Sequence, residues 1–412
     1  MQCVPRDRIV AEGAEIATGI MKKDVTLVVM RYTPFGGDET QAALLAEHLV
    51  AAGCHVTLLC ADWRGGPLPS GMTWVRIPMW RGGSWLKVWS FARAAASHLK
   101  KHPGMRAIAF SRVPGATFYR AGSACHAEWL RLRQQTGGWR AALSMAINPL
   151  HRVIRGIEGH IFADTVRQAG RIIVMARLGQ EQIQRFYPIP DDRFVVIPPM
   201  VDLSRFQKSA AEWIADRHKT RSALGVDENE AVLLHVGSGF RIKRLALTLA
   251  VVAELTQRGQ AVRLLIAGFD RKEQSRHVRL AQQLGIAEQV TFLGGVADMA
   301  PCYAAADLLL LPSLLETFGV VVAEALYCGL PVVISTGMGA RDLVLPAATC
   351  GRVVAVDAGP TAWAAAVAET LDQKRHSTDP DADAARRRMA ALPCMPERVL
   401  AQYLDLLAEI QA

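Results

Sequence analysis

The sequence predicts an α/β protein built from two facing, Rossmann-like, doubly wound domains with a cleft between them. Apolar runs of strand length alternate with helical segments, which is typical of a parallel sheet covered on both faces. The alternation occurs in two series, and a polar stretch at 202–229 that carries the predicted linker separates them. The chain has 412 residues, which is enough for two or three domains of roughly 100–200 residues each.

The first series begins with the apolar run Val25–Met30, which is followed by a loop containing Gly36 and Gly37. A helical pattern from about Glu39 to Ala52 comes next and stops at Gly53. Further strands are predicted at His55–Cys60, Ala107–Phe110, Ile172–Met175 and Phe194–Ile197.

The second series begins with a strand at Val232–Val236 and a helix at Leu245–Gln257. Further strands are predicted at Val262–Ala267, Val290–Phe292, Leu308–Leu311 and Val332–Ser335. The polar segment Asp372–Asp383 is predicted to be a loop, and a last helix is predicted from about Pro396 to Ile410. Ligands of such sheets bind at the carboxyl ends of the strands, where helix N-termini favour phosphate groups.

Composition excludes several classes of protein. Apolar residues make up 51% of the chain and charged residues 21%, so a disordered chain is excluded. The net charge of +9 suits a polyanion, an anionic membrane or an anionic substrate, but no nucleic-acid-binding motif accompanies it. The eight cysteines are scattered without a C-x-x-C pair, which favours a reducing compartment over a zinc site or disulfide framework. Residues 1–23 do not resemble a secretory signal and are interpreted as an N-terminal extension.

The most specific motif begins at Asp307 and has the sequence DLLLLPSLLETFGVVVAEALYCG. A predicted strand leads into a loop with Glu316 and Gly319, and a helix then carries Glu324. Gly319 allows backbone amides to approach a phosphate closely, and Glu324 lies ~7–8 Å along the helix. A carboxylate on an almost wholly apolar helix is expected to be paired or liganded. The alternative is that Glu316 is a loop charge and Glu324 a surface residue.

The E-x7-E motif with Phe-Gly inside it resembles that of the retaining GT-B glycosyltransferases of family 4. The resemblance implies that Glu316 contacts the donor sugar and that Glu324 binds the ribose hydroxyls. It also implies that backbone amides of the intervening loop and helix start meet the donor diphosphate; these residues are Thr317, Phe318, Gly319 and Val320.

A second motif, HVGSGFRIK, follows the first strand of the second series at residues 235–243. In family 4 a basic pair at this place neutralises the leaving diphosphate, which implies that role for Lys243. Arg241 is the candidate partner, with Arg244 as the alternative. Gly237 and Ser238 are candidate donor contacts. A dinucleotide fingerprint fails here because its third glycine position is Ile242.

A third motif, YTPFGG, follows the first strand at residues 32–37. The resemblance places Gly36 and Gly37 near the donor phosphate, whereas a simple tight turn is the alternative. A closer resemblance to the glucosyltransferases of lipopolysaccharide core assembly rests on this motif and on four other segments. They are Trp63–Gly66, Phe110–Gly115, Ala124–Glu128 and Val195–Pro199.

The sequence departs from that closer pattern on the acceptor side. Gln41 and Thr117 stand where those relatives carry acidic residues. Asp38 and Glu39 are near enough in sequence to substitute. Asp38, Thr117 and His126 are therefore the acceptor-side candidates, with His126 either a general base or a packed histidine.

A basic and aromatic stretch at 120–155 is predicted to contact an anionic membrane. Its candidate contacts are Arg120, Trp129, Arg131, Arg133, Trp139 and Arg140. A second such stretch, Trp74–Lys101, is a weaker candidate, and inward-packed tryptophans are the alternative for both. The D-x-D spacing within Asp379–Asp383 is interpreted as a helix N-cap or solvated loop rather than a metal site.

The sequence thus predicts a retaining, metal-independent glycosyltransferase without a cofactor. The resemblance implies transfer of a hexose, with glucose expected, from a UDP-sugar to the lipopolysaccharide core. It is expected in the cytoplasm, peripheral to the inner membrane, with no nucleic-acid partner. Its predicted domains are 24–205 for the acceptor and 206–390 for the nucleotide sugar, with a C-terminal helix at 391–412 returning to the first. The alternatives are a family 4 enzyme with another lipid-linked or polysaccharide acceptor, a nucleotide-sugar epimerase, or an inactive membrane scaffold.

Overall fold

The computed structural model describes residues 24–32, 37–64, 66–168 and 170–409, with side chains left out for 135–144 and 146. The predicted extension at 1–23 and Gly36 lie outside the described residues. The chain divides into two units, one formed by the residues up to Met200 together with those from Pro396 onward, the other by Val201–Met395. The predicted domain boundaries lie five residues from these divisions.

The first unit has a seven-stranded parallel sheet in the order β5-β3-β1-β6-β7-β8-β9 and a small β2-β4 pair. Its strands are β1 (Asp24–Val28), β2 (Arg31–Tyr32), β3 (His55–Cys60), β4 (Asp62–Trp63), β5 (Met72–Arg76), β6 (Ala107–Ala109), β7 (Phe118–Ala121), β8 (Arg171–Val174) and β9 (Phe194–Val196). Apolar clusters cover both faces of the large sheet, around Leu27 and Leu58 on one face and around Val28 and Phe91 on the other. Burial on both faces explains why its central strands are continuous apolar runs.

Helices of the first unit cover these two faces. They are α1 (Gly37–Ala51), α2 (Ser84–Lys101), α3 (His126–Ile147), α4 (Pro149–Arg167) and α5 (Arg177–Gln184). The last helix of the chain, Pro396–Ala408, adds Val399, Tyr403 and Leu407 to the cluster around Leu27. It therefore completes the core of the first unit.

The second unit has a six-stranded parallel sheet in the order β12-β11-β10-β13-β14-β15. Its strands are β10 (Ala231–Val236), β11 (Val262–Ala267), β12 (Val290–Gly294), β13 (Leu308–Leu311), β14 (Val332–Ser335) and β15 (Gly351–Val354). Its helices are α6 (Ala210–Ala223), α7 (Leu245–Gln257), α8 (Gln274–Gln283), α9 (Ala300–Ala305), α10 (Val320–Tyr327), α11 (Arg341–Val344), α12 (Pro360–Arg375) and α13 (Pro380–Ala391), and the Pro396–Ala408 helix is α14. The prediction of two doubly wound α/β units is confirmed.

The polar stretch predicted to carry the linker begins beside the division between the units at Met200 and Val201. It also contains helix α6, which begins with a capping box in which Ser209 and Glu212 satisfy each other's backbone N–H groups. One local prediction is wrong. The predicted loop at 372–383 lies mostly in helices α12 and α13. Asp379 caps α13 by accepting the N–H of Ala382 at 2.9 Å, so the interpretation of the D-x-D spacing as an N-cap is confirmed. Within the described residues, no helix is long and apolar enough to span a membrane.

Candidate active site

Two loops at the carboxyl ends of strands in the second unit, one after β10 and one after β13, carry the motifs singled out there from the sequence. The loop after β10 begins with Gly237, whose φ of 135° lies outside the range that L side chains favour. A Cβ on Gly268, after β11, would come within 2.2 Å of the Gly237 carbonyl oxygen. These glycines let two loops approach each other backbone to backbone.

The loop after β13 is tied to the loop after β10 and to the loop after β14. The backbone N–H of Leu314 donates to the Ile242 carbonyl at 2.8 Å, and that of Glu316 donates to the Gly337 carbonyl at 3.0 Å. The Gly339 N–H donates in turn to the Glu316 carbonyl at 3.0 Å. The backbone of Glu316 is therefore held on both sides.

Lys243 and Glu316, two predicted catalytic residues, meet in this structure as an ion pair. Both side chains are mostly buried, 14% exposed for Lys243 and 26% for Glu316. The aliphatic stem of Lys243 lies beside Gly237, where a Cβ would come within 3.0 Å of its Cε. An ammonium group has three donors, so Lys243 can keep this contact while binding a phosphate oxygen.

Gly319 turns the chain from the Glu316 loop into helix α10. Its φ is +100°, which strains any residue other than glycine, and a Cβ there would also have to displace the Met338 methyl group, 2.6 Å away. The first N–H groups of α10, including that of Val320, have no acceptor within the helix. Phe318 is buried and Thr317 half-buried, so the loop presents backbone beside the Lys243–Glu316 pair.

Glu324 lies on the second turn of α10 and is only 6% exposed. Its Oε2 accepts the Tyr303 hydroxyl at 2.7 Å, and its Oε1 accepts a guanidinium N–H of Arg205 at 2.5 Å. Burial raises the pKa of Glu324, while Tyr303 and Arg205 oppose that rise. The expectation that this carboxylate is paired is therefore met by side chains from two other parts of the unit.

The two candidate arginines after β10 differ in their surroundings. Arg241 and Ser238 are exposed. Arg244 has a φ of 56° and precedes the first residue of helix α7 without a side-chain capping hydrogen bond, and its guanidinium donates to the Val356 carbonyl. Burial lowers the pKa of Arg244. The structure thus gives Arg244 a contact at the end of β15.

On the first unit, Asp38 lies in the first turn of α1, which begins at Gly37. Its carboxylate accepts from Arg120 at 3.0 Å. Burial raises the pKa of Asp38 despite Arg120. A cavity of about 150 Å³ beside Asp38 is lined by Ser111, Arg112 and Ser123 among others. Asp38 is thus placed to meet a polar ligand.

Two expectations for the first unit are corrected. Arg120 was expected at a membrane surface, but it lies in strand β7 with 1% of its side chain exposed, where it pairs with Asp38 and lies over the Phe110 ring. Thr117 was expected near the acceptor, but it precedes β7 and so lies at the amino edge of the parallel sheet. Its hydroxyl accepts the Ala107 N–H at 3.3 Å, which is a structural contact.

His126 begins helix α3 and is buried. Its ring lies 3.0 Å from His151, Nε2 to Nδ1, and stacks on Trp129. Burial, with the charge of Arg112, lowers the pKa of His126 to about 4. The ring is therefore neutral near pH 7, and the structure places it in a packed cluster.

The remaining predicted membrane contacts lie on α3. Arg131 forms an ion pair with Glu128 at 2.7 Å, Arg133 lies over the Trp129 ring, and Trp129 is half-buried. The side chains of Trp139 and Arg140 lie outside the described residues. In the described part of this helix, Trp129, Arg131 and Arg133 therefore all make contacts within the protein.

Comparison with known proteins matches both units to glycosyltransferases. Residues 35–205 match the family described as Glycosyltransferase Family 4, and residues 216–387 match Glycosyl transferases group 1. Over 335 residues the chain is 28% identical to the lipopolysaccharide glucosyltransferase WaaG of Escherichia coli (strain K12), covering 80% of this chain and 85% of that protein. The crystal structure of WaaG, a glycosyltransferase involved in lipopolysaccharide biosynthesis, superposes with a TM-score of 0.70 at 26% identity. It covers 91% of this chain and 98% of that one.

The chain is a GT-B glycosyltransferase. A second group of relatives matches over about half of each chain. The D-inositol 3-phosphate glycosyltransferase of Mycobacterium sp. (strain KMS) is 35% identical over 214 residues, covering 50% of this chain and 46% of that protein. The fold is shared further with Anabaena HepE in complex with UDP and glucose, with a TM-score of 0.63 at 18% identity over 94% of this chain and all of that one.

Sequence reasoning missed three residues of this glycosyltransferase. Tyr303 and Arg205 hold Glu324, and neither belongs to a recognisable motif. Asp307, which opens the Glu316 motif, accepts from Arg217 at 2.7 Å and from Arg221 at 3.2 Å. Asp307 could have been found from the sequence, because an acidic residue directly before an apolar strand is expected to have a buried cationic partner.

Gln41 also has a role that its sequence position did not reveal. Its amide nitrogen donates to the Met200 carbonyl, and its amide oxygen accepts the Met200 N–H, both at 2.8 Å. The side chain thus pairs with the backbone after β9 much as a neighbouring strand would. An acidic residue at this position could not make the donor half of the pair.

Proposed function

We propose that this glycosyltransferase transfers glucose, with retention at the anomeric carbon, from UDP-glucose to the lipopolysaccharide core or a similar glycolipid. The observation that carries the proposal is the Lys243–Glu316 pair beside the Gly319 turn. A cation, a carboxylate and a helix N-terminus converge there within one unit. The similarity to WaaG over most of both chains supports the choice of donor and acceptor class.

In the proposed donor complex, Lys243 and the first N–H groups of α10 bind the diphosphate. Glu316 binds hydroxyl groups of the sugar, and Glu324 binds those of the ribose. Arg241 is the proposed second cation. This arrangement assigns each charged part of a nucleotide sugar to a group of opposite charge or to a hydrogen-bonding partner.

The reaction breaks the bond between the anomeric carbon and the β-phosphate oxygen, and the electron pair of that bond goes to the phosphate. The acceptor hydroxyl oxygen forms the new bond to the anomeric carbon on the same face. Its proton goes to the leaving phosphate oxygen. Negative charge grows on the diphosphate in the transition state, so fixed cations and amides beside it lower the barrier. The protein residues can supply this stabilisation without a metal.

For the first unit, we assign Asp38 to the acceptor, since it borders a polar cavity at the carboxyl edge of the sheet. Of the two roles considered for His126, general base and packed histidine, we assign the second. We place the enzyme at the cytoplasmic face of the inner membrane, where a lipid-linked acceptor would be found.

The test is a panel of nucleotide sugars scored for release of UDP or GDP, followed by transfer from the best donor. Lipopolysaccharide truncated before its first core hexose is the test acceptor, and D-inositol 3-phosphate is the comparison acceptor. Glucose transfer to the truncated core supports the proposal. Transfer only to inositol phosphate would assign the acceptor class of the second group of relatives instead. No nucleotide release from any donor would identify an inactive scaffold.

A further inference from the structure

Three exposed tryptophans form a surface near the start of helix α2. Trp80, Trp85 and Trp89 are 58%, 41% and 38% exposed. The Trp80 and Trp89 rings meet edge to face at 5.8 Å, and the Arg93 guanidinium lies 5.7 Å from the Trp89 ring centre. We name these three indoles and Arg93, together with the exposed Arg81, the tryptophan surface. Large apolar side chains grouped in this way on a protein surface indicate an interaction site.

The fold presents this surface rigidly. Helix α2 buries Phe91, Ala92, Ala95 and Leu99 in the core. Trp85 and Trp89 lie along the edge of this buried stripe, seven and three residues before Ala92, and stay 41% and 38% exposed. The segment before the helix is fixed to it, because the Trp80 N–H donates to the Ser90 hydroxyl at 3.0 Å. The indoles are therefore held outward by a well-packed helix.

A groove of about 370 Å³ begins at Trp89 and runs between helices α2 and α4. Small residues line it, among them Ala92, Ala96 and Gly156, and cationic or titratable side chains border it, namely Arg93, Arg152 and His160. The small apolar residues of the groove match the hydrocarbon chain of a lipid, and the basic residues at its border match the phosphate headgroup.

The charge of the surrounding sequence favours an anionic partner. Between Asp62 and Glu128 the chain has ten Arg and Lys residues and no Asp or Glu. Indoles prefer the headgroup level of a bilayer, and basic residues are attracted to anionic lipids. A protein partner would offer discrete acidic side chains, whereas a bilayer offers diffuse negative charge above an apolar layer, which matches both the indoles and the groove.

We propose that the tryptophan surface docks the enzyme on an anionic lipid bilayer. The reason for docking rests on the proposed function, since a lipid-linked acceptor would lie in that bilayer. Binding to the bilayer itself is measured without acceptor. It moves the membrane contact from the stretch at 120–155, where Arg120 is buried in β7 and Arg131 is paired on α3, to the face formed by α2 and the segment before it.

The experiment is co-sedimentation with vesicles of phosphatidylglycerol and phosphatidylcholine, compared with phosphatidylcholine alone. Each basic residue near an anionic surface contributes roughly fivefold to partitioning. Arg81→Glu/Arg93→Glu removes two such contributions and adds repulsion, so it should lower binding by at least ~30-fold. Trp85→Ser/Trp89→Ser should lower it at least tenfold. Raising the salt concentration should weaken the parent's binding.

Matched controls separate the surface from overall charge and hydrophobicity. Arg279→Glu/Arg375→Glu makes the same change in net charge at exposed positions of the second unit, and Trp74→Ser removes an indole that is 39% exposed but packs beside Trp63. Both should bind nearly as well as the parent. Thermal unfolding checks that each variant is folded, and hydrolysis of the nucleotide sugar, measured without vesicles, should be unchanged.

Three outcomes overturn the proposal. One is parental binding by both surface variants. Another is loss of binding by Arg131→Ser/Arg133→Ser while the surface variants bind normally, which would return the contact to α3. The third is equal binding of the parent to anionic vesicles and to phosphatidylcholine vesicles, which would indicate that the tryptophan surface binds a protein partner instead. Because donor hydrolysis is scored separately, an inactive enzyme that binds vesicles contradicts the proposed function and not the docking.

Discussion

Replacing Glu324 by alanine should weaken nucleotide binding while leaving the second unit folded. The carboxylate is 6% exposed and is aligned by Tyr303 at 2.7 Å and Arg205 at 2.5 Å. A hydrogen bond to a charged, buried group contributes ~1.5–3 kcal/mol. At 1.4 kcal/mol for each factor of ten, the loss in affinity is ~10–100-fold.

Calorimetry with UDP and with 2′-deoxy- and 3′-deoxy-UDP measures this effect and its origin. The parent should bind the deoxy nucleotides more weakly than UDP, since a ribose hydroxyl partner of Glu324 is missing. Glu324→Ala should bind all three alike. Tyr303→Phe should reduce the discrimination partially, because the carboxylate stays but loses one of its two anchors.

Glu369→Ala is the control, because Glu369 belongs to the same unit and its side chain is 65% exposed. It should bind UDP as the parent does. Glu324→Gln tests charge separately, since an amide of the same shape can still accept one hydrogen bond. The ribose assignment would be wrong if Glu324→Ala kept the parent's UDP affinity and its preference over the deoxy nucleotides.

Two further predictions concern the second unit. Lys243→Ala should lower kcat ~10²–10³-fold and donor affinity less, because negative charge on the diphosphate grows in the transition state; steady-state kinetics showing only a raised KM would make Lys243 a uniform binder. Asp307→Asn should destabilise the unit by ~3 kcal/mol or more, because Arg217, Arg221 and Lys374 would lose a buried anionic partner. Burial alone would raise the pKa of Asp307, but Lys374 and Arg217 lower it to about 2. The stability it contributes should therefore be complete above about pH 4 and disappear as the pH falls towards 2, so urea unfolding of parent and Asn variant should converge over that range.

The sequence predicted the central strands well because their apolar runs are buried on both faces, as at Leu308–Leu311 and Val332–Ser335. It missed β5, in which only Met72 is buried, because an edge strand with exposed Thr73, Trp74 and Arg76 has no apolar run. It missed β7 because Arg120 interrupts the apolar pattern, and only the structure supplies the ion pair that permits its burial.

The site was predicted to the extent that it is local in sequence. The glycine turn at Gly319 and the spacing of Glu316 and Glu324 are contained in one strand–loop–helix segment. Arg205 is 119 residues from Glu324 in the chain, and nothing in its local sequence indicates that contact. The same limitation led Arg120 to be grouped with surface arginines, although its partner Asp38 is 82 residues away.

Backbone strain and contacts distinguish Arg244 from Arg241, the two candidates for assisting Lys243. Arg244 is the one non-glycine residue with a positive φ in the part of the chain that the structure describes, a conformation that costs an L residue ~1–2 kcal/mol. Its guanidinium donates to the Val356 carbonyl, which offsets part of that cost and occupies the side chain.

We therefore expect Arg244→Gly to change the melting temperature little, since relief of strain and loss of this contact oppose each other. Its kcat for donor hydrolysis should stay within about twofold. Arg241→Gln should lower kcat ~10²-fold, the usual effect of losing one donor to a developing charge, and Arg241→Lys should recover part of it. A hundredfold loss in Arg244→Gly with a normal Arg241→Gln enzyme would reverse the assignment, and it would mean that Arg244 leaves Val356 when the diphosphate binds.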